Sequence, residues 1–377
     1  MHLDLIQTLS LCGDATTPND DRGGATAGHA WVIDGATDLG PPGLLGDQGG
    51  AAWLAAAADA AFGTSLAETV RGTCEAVFAD VERRFAQERR RAPAAAWELP
   101  SAAFAAAQLA GDRIEAAWAA DCAILHRRGE TVQWVTPMPD RASESADAAA
   151  LGDGIGAQKL RSPAVLEDRR RARMRPGRRV LGVDAAAASA AVHYGGTAVA
   201  PGDELLLMSD GFSALIDAYG AYDANGFFAA VESHGLATLA VELRTIERDD
   251  AACRRFPRFK ASDDATALWL RVAGYRSNAP TGEKLDQAHH QRDDQQDVDQ
   301  AAGDMEAEAE QPQDQQDRNN CPQHRGISPL ELQEKRCAHE PSSAPRQCFD
   351  TMHVRGYRRL APGHWPGGSS YPDARSD

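Results

Sequence analysis

Along the first 275 residues the hydrophobic positions switch between a strand period of about two and a helix period of about 3.6, and each switch marks an element. Residues 2–11 and 27–33 predict strands, the second closing at Asp34-Gly35. Residues 50–62 predict an alanine-rich helix. Residues 66–91 predict another, opened by Ser65 with Glu68 three positions on, the spacing of a capping box. Residues 102–110 and 114–120 run apolar or alternate across Gly111-Asp112, which is hairpin chemistry. Residues 123–127 and 131–136 follow across Arg128-Gly129, so four consecutive strands predict a meander. Residues 204–208 form a buried strand that stops at Ser209-Asp210-Gly211 before a short helix, 212–217. Helical patterns return at 225–233 and 236–248, and the last strand, 266–272, comes directly after Ser262-Asp263-Asp264. Strands and helices gathered in groups, without strict alternation, predict an α+β fold with sheet on sheet and helices outside.

Two stretches break this pattern. Residues 137–179 are polar, interrupted by Pro and Gly, and end in an arginine-rich run, so they predict a long surface insert. Residues 281–320 hold 12 acids against 3 bases, are rich in Gln and carry almost no large apolar side chain. Such a segment cannot bury enough surface to offset its ordering entropy and reads as disordered. The working domain is therefore residues 1–275, and residues 276–377 are an acidic, Gln-rich tail. In that tail Cys321, His324, Cys337, His339, Cys348 and His353 are metal-type ligands, yet C-x2-H followed by C-x-H lacks the repeated units that close a zinc site.

The chain of 377 residues has 55 acidic and 39 basic side chains, a net charge of −16, which argues against gripping a nucleic-acid backbone. No apolar run reaches about 18 residues, and the first ten residues lack a basic region followed by a cleavage site. Neither a membrane span nor a secretory leader is expected, which leaves the cytoplasm as the expected compartment. Seven scattered cysteines fit reduced thiols better than a disulfide framework.

Asp34, Asp121, Asp210 and Asp263 each sit at or beside the end of a strand-like run, where side chains from distant segments converge. Two carboxylates about 4 Å apart repel by roughly 4 kcal/mol at an effective dielectric of about 20, so four together require cations or shared protons. Ligands that offer only oxygen select Mg²⁺ or Mn²⁺ over zinc. Taken singly, Asp34, Asp210 and Asp263 are each explained as turn or cap residues beside Gly or a second Asp. The ordered set is what points to a site.

The run Val32-Ile33-Asp34-Gly35, the earlier Asn19-Asp20-Asp21, the strand pair from Pro100-Ser101 to Ala120-Asp121, then Leu207-Met208-Ser209-Asp210-Gly211 and Ser262-Asp263-Asp264 resemble the successive motifs of bacterial PPM-type (protein phosphatase 2C-like) metal-dependent serine/threonine phosphatases. The resemblance spans roughly residues 1–272 and implies a four-layer αββα sandwich of two antiparallel sheets flanked by helix pairs, with residues 137–179 as a flap-like insert. It implies two Mg²⁺ or Mn²⁺ ions: Asp34 bridging them, the Gly35 carbonyl on one, Asp210 and Asp263 on the other. Asp121 matches the aspartate that, with Asp210, binds a third, weaker metal. Asp20 and Asp21 match an acidic pair that approaches the metals mainly through water. The implied reaction is hydrolysis of phosphoserine or phosphothreonine in a protein by activated water, without a covalent phospho-enzyme.

Three departures matter. Thr16 stands where many members carry a phosphate-gripping arginine, and Arg22 nearby reads as a substitute or as a neutralising surface partner. Ala36 stands where eukaryotic members have a histidine, and Asp264 where asparagine is usual. Two further functions stay open: a pseudophosphatase that binds a phosphoprotein without turnover, and a small-molecule phosphohydrolase. The insert arginines 169, 170, 171, 173, 175, 178 and 179 read as a solvated, mobile loop, with docking of an acidic partner as the alternative. His29, His126, His193 and His234 show no ligand spacing, and Trp31, Trp53, Trp97, Trp118 and Trp134 read as core.

Overall fold

The structure is a computed structural model that describes residues 1–152 and 162–274. In chain order the strands are β1 (His2–Leu11), β2 (Asp21–Ala25), β3 (His29–Gly35), β4 (Ser101–Ala110), β5 (Arg113–Ala119), β6 (Ala123–Arg128), β7 (Thr131–Trp134), β8 (Leu181–Gly182), β9 (His193–Ala198), β10 (Glu204–Met208) and β11 (Ala265–Ala273). The helices are α1 (Gly50–Thr64), α2 (Val70–Glu88), α3 (Ala142–Ala150), α4 (Pro163–Arg173), α5 (Ala185–Ala191), α6 (Asp210–Ser213) and α7 (Ala224–Asp249). One antiparallel sheet has the order β1-β11-β10-β6-β7; the other has β2-β3-β4-β5-β9, with β8 paired to the start of β4.

Alternation along the central strands explains the layers. Leu205 and Leu207 of β10, with Leu268 and Leu270 of β11, face Val32 and Ala105 of the other sheet, while Leu206, Met208 and Trp269 point outward onto Phe227, Val231 and Leu239 of α7. In the second sheet Ala30 and Val32 face inward, and Trp31, Ile33 and Phe104 pack on Phe62 and Phe78 of α1 and α2. Central strands covered on both faces read as continuous apolar runs, as here. The architecture is the expected αββα sandwich. A glycine at 235, with φ +77°, breaks α7 into two segments, as the split between residues 233 and 236 led us to expect.

Several local expectations are corrected. The four strands β4 to β7 do not form one meander: β4 and β5 belong to one sheet, β6 and β7 to the other. The chain changes sheets at Ala120, whose φ of 64° is left-handed, a backbone kink that no apolar period records. Helix α2 starts at Val70 and is capped by Thr69, which accepts from the Gly72 N–H at 3.1 Å; Ser65 instead ends α1. Strands β2 and β9 were missed because Arg-Gly-Gly and Gly-Gly-Thr carry no hydrophobic pattern; at Gly23 a Cβ would lie 2.8 Å from a methyl of Leu268 in the opposite sheet, so the small residue eases the close packing of the two sheets. The insert is not without structure, because it carries α3 and α4. The acidic tail with its cysteines and histidines, and the boundary at residue 275, lie outside the described residues.

Candidate active site

The acidic site grows out of strand ends on both sheets. Asp34, at the end of β3, lies directly across the ladder from Asp21 of β2, a placement that sets two carboxylates of like charge side by side. The Gly35 N–H donates to the Asp20 carbonyl at 3.1 Å, and a Cβ on Gly35 would stand 2.6 Å from that oxygen, so only glycine lets the two segments close here. From the other sheet, β10 is followed by Ser209, whose N–H donates to the Thr266 carbonyl while its Oγ accepts from the Thr266 N–H, both at 2.9 Å. This clasp holds Asp210, the first residue of α6, beside Asp263 at the entry to β11.

Asp264 supplies the remaining tie. Its Oδ1 accepts the Gly13 N–H at 2.7 Å and its Oδ2 the Asp20 N–H at 2.6 Å, so it pins the loop that carries Asp20 and Asp21. The acid in place of asparagine thus acts as a two-armed backbone acceptor. Between these segments opens a cavity of about 440 Å³ lined by Asp34, Gly35, Asp121, Asp210, Asp217 and Asp263, among others.

The electrostatics follow from crowding. Asp21 is buried and neither carboxylate oxygen has a hydrogen-bond partner; burial, with Asp263 and Asp210 behind it, drives its pKa well up. Burial and then Asp210 do the same to Asp34. Burial would also raise Asp210, but the Arg141 guanidinium beside it takes it below the ordinary range. Asp20 is pushed to about 7, first by burial. Asp121 keeps an exposed edge toward the cavity, yet the surrounding protein and then Asp210 lift it to about 7 as well. Asp217, which the sequence reading passed over, has two buried, unpartnered oxygens and is raised to about 6.

Two cations answer these acids. Arg141 pairs with Asp210, and Lys260 donates to Asp263 Oδ1 at 2.5 Å. Among the described residues no group of three or more His, Cys, Asp or Glu side chains is drawn together closely enough to hold a metal ion. The donor chemistry nevertheless suits a hard cation, because Asp21 and Asp210 present buried carboxylate oxygens with no hydrogen-bond partner and every candidate ligand is oxygen.

No family model matches the sequence, and no curated protein matches it. Solved structures are similar. PppA, a regulatory component of T6SS in Pseudomonas aeruginosa, is 14% identical over 72% of this chain and 98% of its own, with a TM-score of 0.42. The catalytic domain of the serine/threonine protein phosphatase PstP, in complex with 2 manganese ions, is 16% identical over 72% of this chain and 99% of its own, TM-score 0.42. The PPM Ser-Thr phosphatase MsPP from Mycobacterium smegmatis is 16% identical over 71% and 99%, TM-score 0.43.

Of the residues singled out from sequence, Asp34, Gly35, Asp121, Asp210 and Asp263 line one cavity, with Asp21 beneath it as the cross-strand partner of Asp34 and Asp20 on the adjoining loop. Thr16 is exposed and bonded to Asp14, and Arg22 is spent on the carbonyls of Asn19 and Asp21, so neither lines the cavity. His29 and His126 are buried and satisfied, on the Phe62 carbonyl and on Asp203. The insert arginines are corrected: Arg170 donates to the Leu39 carbonyl at 3.0 and 2.7 Å and lies 4.1 Å above Trp97, and Arg173 is tied to the Thr37 carbonyl, so this face of α4 is docked beside the acids. Arg141, Lys260, Glu144 and Asp217 were not anticipated, because they sit outside any strand-end motif. Among the described residues no helix is long and apolar enough to cross a membrane, and Cys12, Cys74 and Cys122 are free thiols.

Proposed function

We propose that this chain is a metal-dependent phosphomonoesterase of the PPM type that removes phosphate from phosphoserine or phosphothreonine in proteins. The observation that carries the reading is the meeting of carboxylates from four separate segments, 34, 121, 210 and 263, around one cavity, with a buried oxygen of Asp210 left unpaired. In this reading Asp34, the Gly35 carbonyl, Asp210 and Asp263 would hold two Mg²⁺ or Mn²⁺ ions, with Asp20 and Asp21 behind them and Asp121 available to a third. When bound, such ions supply Lewis acidity toward a phosphoryl group and an activated water. The chain itself contributes the acid array, the Asp264 clamp that fixes its loop, and the arginines of the insert at the cavity wall. A cytoplasmic signalling role belongs to the same reading.

The test is hydrolysis of a phosphothreonine peptide by the full-length protein with Mn²⁺ and with chelator. Turnover should require the metal and vanish in Asp34→Ala and Asp210→Ala; turnover that persists in either variant would reject the ligand assignment. A second reading, a phosphoprotein-binding module without turnover, is favoured by one observation: Arg141 and Lys260 already neutralise Asp210 and Asp263. Protein that is inert with Mn²⁺ yet captures the phosphopeptide would select it.

A further inference from the structure

Six cationic side chains line the cavity: Arg141, Arg169, Arg173, Arg178, Arg258 and Lys260. Four of them have a carboxylate within 4 Å. Arg141 faces Asp210, Arg169 faces Asp168 and Asp147, Arg258 faces Asp250, and Lys260 faces Asp263. Arg173 and Arg178 have no such partner among the described residues, and they lie close enough to repel one another. Burial, and then the charge of Arg178, bring Arg173 down to about 10, and burial lowers Arg178 too. Arg173 is half-buried and Arg178 is exposed at the cavity lining; Asp38 and Asp20 act on Arg173 and Asp121 on Arg178 only from beyond ion-pair distance, so an anion reaching both would find two cations with no close partner among the described residues.

The position of Arg173 is fixed. Its guanidinium donates to the carbonyls of Thr37 and Trp97, and Thr37 follows Gly35 by two residues. Those bonds use two of five N–H donors and leave the others for a ligand. A guanidinium so oriented matches the oxygens of a phosphate monoester, which accepts parallel hydrogen bonds.

We propose that Arg173 and Arg178 form the anion subsite that grips the phosphate of the substrate, taking over from the N-terminal arginine that Thr16 replaces. The inference rests on the phosphatase reading above and names its phosphate-binding residues.

The test uses the full-length protein with Arg173→Ala, Arg173→Lys, Arg178→Ala and, as a control, Arg171→Ala, whose side chain is 70% exposed. Binding of inorganic phosphate is measured by calorimetry, and KM and kcat are measured on a phosphothreonine peptide with Mn²⁺; thermal melting checks the fold. Loss of charged hydrogen bonds should weaken phosphate binding and raise KM by about 10- to 100-fold in Arg173→Ala, and less in Arg178→Ala. Arg173→Lys should recover part of the affinity, and Arg171→Ala should leave both quantities unchanged. If Arg173→Ala does not fold, Arg173→Lys and Arg178→Ala carry the test. Phosphate affinity within about twofold of the unaltered protein in the folded Arg173 and Arg178 variants would overturn the subsite. Phosphate binding that depends on Arg173 in a protein without Mn²⁺-dependent turnover would uphold the subsite and reject the phosphatase reading.

Discussion

Acidifying the metal-free protein should make it more stable, against the usual trend for a folded acidic chain. Asp20 moves from an ordinary 3.8 to about 7 and Asp217 from 3.8 to about 6. Below about pH 4 both the folded and the unfolded chain keep these protons, so nothing is lost. Between about pH 4 and 7 the unfolded chain releases them and the folded chain holds them, so stability falls as pH rises. At about 1.4 kcal/mol for each tenfold change in proton affinity, Asp20 costs up to about 4 kcal/mol at neutral pH and Asp217 about 3. The Asp20 carboxyl keeps partial access to water, and a fall from pH 8 to pH 5 spans only part of each titration, which reduces the sum to a working figure of about 2–3 kcal/mol. For a domain of this size that corresponds to a rise in Tm of about 5–10 °C from pH 8 to pH 5 in chelator. Asp203 and Asp250, held below the ordinary range, titrate outside that window and do not mask the effect. Mn²⁺ should then stabilise the protein more at pH 8 than at pH 5, because protons compete for the same oxygens. Differential scanning calorimetry checks both. A Tm that is flat or falls on acidification would show that the carboxylates are not crowded as described.

Three further outcomes follow from packing. In Gly211→Ala the new Cβ would lie 1.9 Å from the Asp264 carbonyl oxygen, so we expect about 1–3 kcal/mol lost in urea unfolding; an unchanged midpoint would show that the two loops do not meet. Asp264→Ala orphans the Gly13 and Asp20 N–H groups, and hydrogen exchange at those two amides should accelerate while Asp264→Asn retains part of the protection. Phe104→Ala removes a fully buried ring set against Phe62 and Phe78 and should cost about 3–5 kcal/mol by denaturant titration.

The sandwich was legible because its central strands are hydrophobic on both faces: the runs at Leu205, Leu206 and Leu207 and at Leu268, Trp269 and Leu270 could only be buried. The acidic residues were legible because each ends such a run. The edge strands β1 and β7 were legible too, but two other edges were not. β2 and β9 are glycine-rich and are held by ladder bonds and close backbone approach, which leave no mark on hydropathy. The change of sheet at Ala120 depends on a single left-handed residue. The counter-charges were hidden for a different reason. Arg141 precedes α3 in a polar stretch, and Lys260 lies in an irregular loop, so only the tertiary fold shows that Asp210 and Asp263 are their partners.

The switch at Ala120 has a mechanical consequence. Asp21 and Asp34 ride on one sheet, while Asp210 and Asp263 ride at strand ends of the other, so the pocket is a seam between two slabs and belongs to neither alone. Sliding one slab past the other by a residue or two would separate these carboxylates without requiring any helix to unravel, and the ion proposed above would act as a rivet across the seam.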